Sequence, residues 1–368
     1  MSSLTLPRMM TPSPGNVNAP RPSQVRNVCG GRPVRARFPA HVRREEQLMS
    51  ARQITVLGEC VADAFAEPAG ASGELALRVL PGGGPANTAV SLARLGTPAR
   101  FLARLSGDVF GRLFRDRLEA SGVDLSDAVA AAEPSTLAVA ELDAQGQAAF
   151  SFHAQNTADW QWSAGELERV DLSGTACVHT GSLALVREPG GAVVEEFLAA
   201  AAPHATISID PNVRPLLVRP EVYRARLAHW CALADVLRLS EDDLALLLPD
   251  TAPEQACDLW HAAGARLVVI TRGGDGVLAS LDGERLRLPA VATEVVDTVG
   301  AGDSFTAGLL HHLDARGLLG GRLTGLRLDE VAEACVFGTR VAALTCSVAG
   351  PNPPWRGDLE RFVSVAGS

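Results

Sequence analysis

Asp297-Thr298-Val299-Gly300-Ala301-Gly302-Asp303-Ser304-Phe305 joins an apolar run ending in Val295-Val296 to a helical pattern across a turn of small residues. The helical pattern puts Phe305, Leu309 and Leu313 on one face. The small residues at 300–302 leave the amides of Gly300 through Asp303 unpaired at a helix N-terminus. Such a nest attracts anions and stabilises charge on a transferring phosphoryl group. A carboxylate beside it repels an anion unless it takes a proton from the attacking hydroxyl, so Asp303 is a candidate general base. A simple helix cap is the competing reading of Asp303. The nine residues alone support the two equally.

Outward from this stretch, short apolar runs alternate with helical patterns from Ile54 onward, the signature of a parallel sheet flanked by helices. Residues 54–57, 101–105, 176–179, 206–210, 235–239 and 267–271 read as strands. Residues 86–95, stopped by Gly96, and 109–120, closed by Gly122, read as helices. Between them, 136–142 and 147–153 are two β-patterned runs around 143–146, a hairpin that forms a small flap beside the main sheet.

The 368 residues are 47% hydrophobic and 20% charged, enough for one large α/β domain or two smaller ones with a full core. A net charge of −9 argues against a nucleic-acid surface. All 33 basic residues are arginine. Without lysine there is no Walker A loop, no pyridoxal Schiff base and no protein-kinase strand lysine, so any nucleotide is held by another route. The seven cysteines include no CxxC pair and read as reduced and mostly buried, which points to the cytoplasm. His311 and His312 are adjacent and do not share a helix face, so they do not read as a zinc pair. No apolar run reaches the roughly 18 residues that a membrane span needs.

Residues 1–48 stand apart. They carry eight arginines and two acids, net +6, against −15 for the remaining 320 residues. Lacking apolar periodicity, they are expected to be a disordered basic tail, and they lack the apolar core of a secretory signal. An organellar transit peptide is one reading of them. A natural start at Met49 is preferred, because the first strand opens just after it. The folded domain is therefore expected over 49–368, with its lid hairpin near 135–155.

Two further glycine clusters carry weak signals taken singly. Pro81-Gly82-Gly83-Gly84-Pro85-Ala86-Asn87-Thr88-Ala89 permits close backbone approach to a ligand, with the Asn87 amide able to donate to and accept from hydroxyls. Thr271-Arg272-Gly273-Gly274-Asp275-Gly276 follows a strand at its carboxyl end, where α/β sheets bind ligands. In order along the chain, these motifs and the 297–305 stretch resemble the signatures of the ribokinase-like (PfkB) carbohydrate kinases over residues 54–363. The resemblance implies a three-layer α/β fold, a parallel sheet with helices on both faces plus a small β lid.

It further implies Asp303 as catalytic base and Gly300, Ala301 and Gly302 as the anion hole. Asp63, Gly83, Gly84 and Asn87 would hold the acceptor sugar, with His153 contacting it from the lid. Thr271, Gly273 and Gly276 would line the ATP site. Asp210-Pro211-Asn212-Val213-Arg214 is similar to a stretch that fructokinase-like members carry beside the phosphates, which assigns Asn212 and Arg214 to the nucleotide. Mg²⁺ is the expected metal. The family's Asn-x-x-Glu motif appears as Ser240-Glu241-Asp242-Asp243, where Asp243 keeps a carboxylate that acts on the metal through water. Asp297 is retained for a monovalent-cation loop whose C-terminal half looks short, so potassium activation is left open.

Glu59, Asp63 and the lid pattern look more like fructokinases than ribokinases. Fructose is the first expected acceptor. Ribose, 2-keto-3-deoxygluconate and nucleosides share the scaffold and stay as alternatives. A non-catalytic sugar or nucleotide sensor is the competing class, because fold alone does not exclude it. A dinucleotide-dependent oxidoreductase is excluded by the lack of GxGxxG after the first strand. The expected partners are a small sugar and ATP, with no nucleic acid or membrane. A homodimer through the lid is left open.

Overall fold

The computed structural model describes residues 52–67, 74–142 and 148–366. The expected tail at 1–48 and the hairpin tip at 143–146 lie outside the described residues.

The strands, in chain order, are β1 (Gln53–Leu57), β2 (Val61–Glu67), β3 (Ala76–Gly82), β4 (Ala99–Leu102), β5 (Arg104–Ser106), β6 (Val129–Ala131) and β7 (Thr136–Leu142). They continue with β8 (Ala148–His153), β9 (Thr175–Gly181), β10 (Thr206–Asp210), β11 (Val236–Ser240), β12 (Leu267–Thr271), β13 (Val277–Leu281) and β14 (Glu284–Leu288). The main sheet runs β14-β13-β12-β11-β10-β9-β1-β4. From β12 to β4 every pairing is parallel.

The sheet departs from an all-parallel one at a single edge, where β13 and β14 add antiparallel strands. Asp282 and Gly283, both at positive φ (48° and 98°), make the tight turn between these two strands. The expected strand at 101–105 also divides. β4 belongs to the main sheet, whereas β5 pairs with β6 in a separate two-stranded sheet.

Helices pack on both faces, as expected for three layers. Strand alternation explains why the central strands are apolar throughout. In β12, Leu267 and Val269 join the core that holds Phe305, Leu309 and Val331, while Val268 and Ile270 join the core around Trp230, Tyr223 and Trp260.

The lid is larger than a hairpin. β7 and β8 pair antiparallel as expected, but β2 and β3 complete a four-stranded sheet in the order β3-β2-β7-β8. From β1 the chain passes through half of the lid and the helix Gly84–Leu95 to β4, then returns to β9 on the other side of β1. Such a switch in direction opens a crevice at the carboxyl ends of the strands. Ser182, Asp210, Ser240 and Thr271 lie at those ends, and the lid closes over them.

Candidate active site

Two cavities meet in this crevice. One, of about 710 Å³, includes Glu59, Asp63, Gly83, Gly84, Asn87, Asn212, Arg214 and Asp303 in its wall, with lid residues Thr136, Ala138 and Phe152 above. The other, of about 500 Å³, has Gly273, Gly276, Val277, Phe305, Ala342 and Cys346 in its wall and is mainly apolar. Arg238, Thr271, Gly273, Thr298 and Gly302 border both.

The helix Ala301–Ala315 begins at this junction. Its N-cap Gly300 adopts φ 79°, the left-handed turn that favours glycine. Ser304 N–H donates back to Gly300 O (2.9 Å) and Ala301 N–H to Thr298 O (3.2 Å). The amides of Gly302 and Asp303 have no protein acceptor among the described residues, and both residues line the larger cavity.

Asp303 does not cap this helix, which has no side-chain cap hydrogen bond. Its Oδ2 instead accepts from Asn87 Nδ2 at 2.9 Å. Burial pushes the Asp303 carboxyl up to about 6; the Asn87 hydrogen bond opposes this, and the Asp210 carboxylate adds to it. A group titrating there is mostly ionised at neutral pH and still basic enough to accept a proton.

The larger cavity carries two more unusual carboxyls. Burial pushes Glu59 up to about 7 and Asp63 up to about 6, with the Arg214 charge opposing both. Carboxyls that titrate near neutrality can donate or accept, as hydroxyl recognition requires.

Asn212 and Arg214, expected beside the phosphates, share the larger cavity with Thr271, Gly273 and Gly302. Neither Asn212 nor Arg214 borders the smaller cavity. Thr271, Gly273 and Gly276 do border the smaller one.

His153 is a correction. It is exposed and outside the cavity wall. In the β7–β8 pairing Ala138 sits opposite Phe152, so Phe152 shares the face of Ala138 and both reach the cavity. His153, one residue on, takes the opposite face.

The two carboxylates expected to serve metals both also hold backbone in place. Asp243 Oδ1 accepts from Val213 N–H (2.8 Å), and Oδ2 accepts from the Ser240 amide (3.0 Å) and hydroxyl (2.6 Å). Both oxygens are thus engaged in a capping box and in holding the 210–214 loop. Asp297 Oδ1 accepts from Val299 N–H (3.0 Å) and Oδ2 from Gly350 N–H (2.9 Å), which ties the 297–300 turn to the C-terminal loop. Asp297 borders neither cavity.

Arg238 was not predicted from sequence. It is buried on β11, where Nη1 donates to Asp210 Oδ2 (2.7 Å) and Nη2 to Thr271 Oγ1 (2.6 Å). Its place in an apolar run, Val236-Leu237-Arg238-Leu239, is a signal that a buried partner must exist.

A family model described as pfkB family carbohydrate kinase matches residues 51–356. The chain belongs to the pfkB carbohydrate kinase family. Among the relatives of this pfkB kinase, a fructokinase from Klebsiella pneumoniae is 35% identical over 317 residues, covering 84% of this chain and 98% of the relative. A crystal structure of fructokinase from Xylella fastidiosa superposes with a TM-score of 0.77 at 26% identity, covering 86% of this chain and 99% of that one. A fructokinase double mutant from Vibrio cholerae O395, in fructose, ADP and potassium ion bound form, gives 0.73 at 25% identity, covering 85% and 98%. No described helix of the kinase is long and apolar enough to cross a membrane.

Proposed function

We propose that this kinase transfers the γ-phosphoryl group of ATP to the 6-hydroxyl of fructose, giving fructose 6-phosphate and ADP. The observation that carries this reading is the position of Asp303. Its carboxylate lines the polar, carboxyl-rich cavity at a helix N-terminus, one residue after Gly302, which borders both that cavity and the apolar one.

In this reading the sugar lies in the larger cavity against Asp63, Asn87 and the Gly83–Gly84 backbone. The adenine lies in the smaller cavity, and the triphosphate runs past Thr271 and Gly273. Asp303 accepts the proton of the 6-hydroxyl as that oxygen attacks γ-phosphorus. The new O–P bond forms as the bond from γ-phosphorus to the β-bridging oxygen breaks, and ADP leaves with that electron pair. The amides of Gly302 and Asp303 stabilise charge on the phosphoryl oxygens in flight. Thr136, Ala138 and Phe152 of the lid cover the sugar and exclude water, which would otherwise compete as acceptor.

The wall of the larger cavity carries six carboxyls, Glu59, Asp63, Glu241, Asp242, Asp243 and Asp303, against Arg214, Arg238 and Arg272, a balance that favours a neutral polyhydroxyl over a sugar acid. The similarity to fructokinases points the same way. A divalent cation fits the donors on the wall, which are hard oxygens from Glu241, Asp242 and Asp243 on one helical turn. No group of three or more His, Cys, Asp or Glu able to hold a metal occurs among the described residues. Asp242 directly and Asp243 through water would hold Mg²⁺, and when bound it neutralises phosphate charge during transfer.

The six described cysteines are free thiols, which suits a reducing cytoplasm. Phe150, 41% exposed and stacked on Phe152 at 5.9 Å, gives the lid an apolar surface for a homodimer.

An ATP-consumption screen over fructose, ribose, adenosine and 2-keto-3-deoxygluconate tests the reading. Fructose should give the highest kcat/KM. Preference for adenosine or the sugar acid would reassign the substrate, and binding without turnover on any acceptor would make the chain a sensor.

A further inference from the structure

Arg238 stands where the two cavities join, and it borders both. Its ion-pair partner does not: Asp210 borders only a small void behind Gly84 and Asp303. The pair is therefore polarised, with the cation turned to the cleft and the anion behind it. We propose that Arg238 is a catalytic residue of the transfer, its guanidinium gripping the phosphoryl group as it passes from the nucleotide to the sugar. The proposal rests on the kinase reading above and adds to it a contact that no sequence motif assigned.

Three features of the geometry support it. Of the five N–H groups on a guanidinium, one is committed to Asp210 and one to Thr271. The Nε is buried with no partner among the described residues, as is Asp210 Oδ1, so the ion pair does not use up the guanidinium's donors. Second, the fork lies against the anion nest itself. A Cβ added at Gly302 would stand 2.7 Å from Nη1 and 2.9 Å from Nη2, so a side chain there would displace the guanidinium. The cation thus lies against the helix start whose Gly302 and Asp303 amides have no protein acceptor among the described residues. Third, the side chain is held from every side before any ligand arrives. Asp210 and Thr271 fix the fork, and the guanidinium carbon lies 5.7 Å from the Phe305 ring centroid. A preorganised cation aimed at developing charge is what stabilises a phosphoryl-transfer transition state, and the planar fork binds phosphate oxygens in pairs. With no lysine in the chain, an arginine is the available side chain for this task.

A purely structural role for the Arg238–Asp210 pair makes different predictions. Removing Arg238 alone leaves Asp210 buried and unpaired, so Arg238→Met is compared with the double variant Arg238→Met/Asp210→Asn, which removes both charges. Each folded variant is assayed for kcat with fructose and, without sugar, for ATP and ADP affinity by calorimetry. A gripping Arg238 predicts a loss of roughly 10³-fold in kcat in both variants, as for other arginines that reach a transferring phosphoryl group. It also predicts that the preference for ATP over ADP shrinks several-fold, and that added methylguanidinium restores part of the lost turnover. A double variant that folds, turns over fructose near the normal rate and keeps its ATP-to-ADP preference would overturn the proposal. If the unmodified chain consumes no ATP with fructose, the acceptor assignment fails separately, and the ATP-to-ADP ratio still decides the place of Arg238.

Discussion

Asn87 Nδ2 and Asp303 Oδ2 lie 2.9 Å apart, a hydrogen bond between residues 216 positions apart in the chain. It links the 81–89 glycine cluster to the 297–305 stretch and orients the carboxylate proposed as the base. This bond also lowers the Asp303 pKa, against the larger upward push of burial. Asn87→Ala should therefore raise that pKa. A base with a raised pKa is ionised only at higher pH, so activity is lost from the acid side. A neutral hydrogen bond of about 1 kcal/mol corresponds to roughly 0.7 of a pH unit. The acidic limb of kcat, expected near pH 6 in the unaltered chain, should move up by about that much. An unmoved limb would show that Asp303 is not the group titrating in it.

Gly84 sits so close to the site that its missing side chain matters. A Cβ there would lie 2.7 Å from Asn212 Nδ2 and 3.2 Å from Asp303 Oδ1. Gly84 is the first residue of its helix and does not have a positive φ, so the backbone itself accepts alanine. Gly84→Ala should keep its melting temperature while kcat falls on the order of 10–10²-fold, because the base is displaced by a fraction of an ångström. Steady-state kinetics beside a thermal melt separate the two effects.

Phe152 and His153 are adjacent but face opposite sides of the lid. Phe152→Ala should raise the KM for fructose by about 10-fold, the effect expected for an apolar contact of roughly 1.5 kcal/mol. His153→Ala should leave it within about 2-fold, since substitutions away from a site change little. A KM that responds to His153 instead would place the sugar on the other face of the strand.

Much of this layout is legible in the sequence, and the reason is local. The 297–305 stretch and the 81–89 cluster hold their functional groups within a few residues of a helix start, so the motif and the geometry coincide. Arg238 is different. It is one charge in a buried strand, and only the folding of β10 and β12 beside β11 brings Asp210 and Thr271 to it. His153 shows how parity misleads. Alternation along 147–153 says that neighbours face opposite sides, but which side covers the cleft is set by pairing with β7. Asp243 has the residue type of a metal ligand, and its two oxygens also accept from Ser240 and Val213, which spacing does not reveal. The edge hairpin of β13 and β14 was within reach, because Asp282-Gly283 between alternating runs is a strong turn signal.

The most direct test of the account is the turnover of Asp303→Asn with fructose and ATP, measured on protein whose melt and ligand binding are checked. Asparagine keeps the size and the hydrogen-bonding reach of the side chain but cannot take a proton. The base assignment predicts a fall of roughly 10²–10⁴-fold in kcat. ATP affinity should hold or rise, because a negative charge beside the phosphates is gone. A folded Asp303→Asn enzyme with near-normal kcat would contradict the account, for it would leave the carboxylate at the cleft with no chemistry to perform.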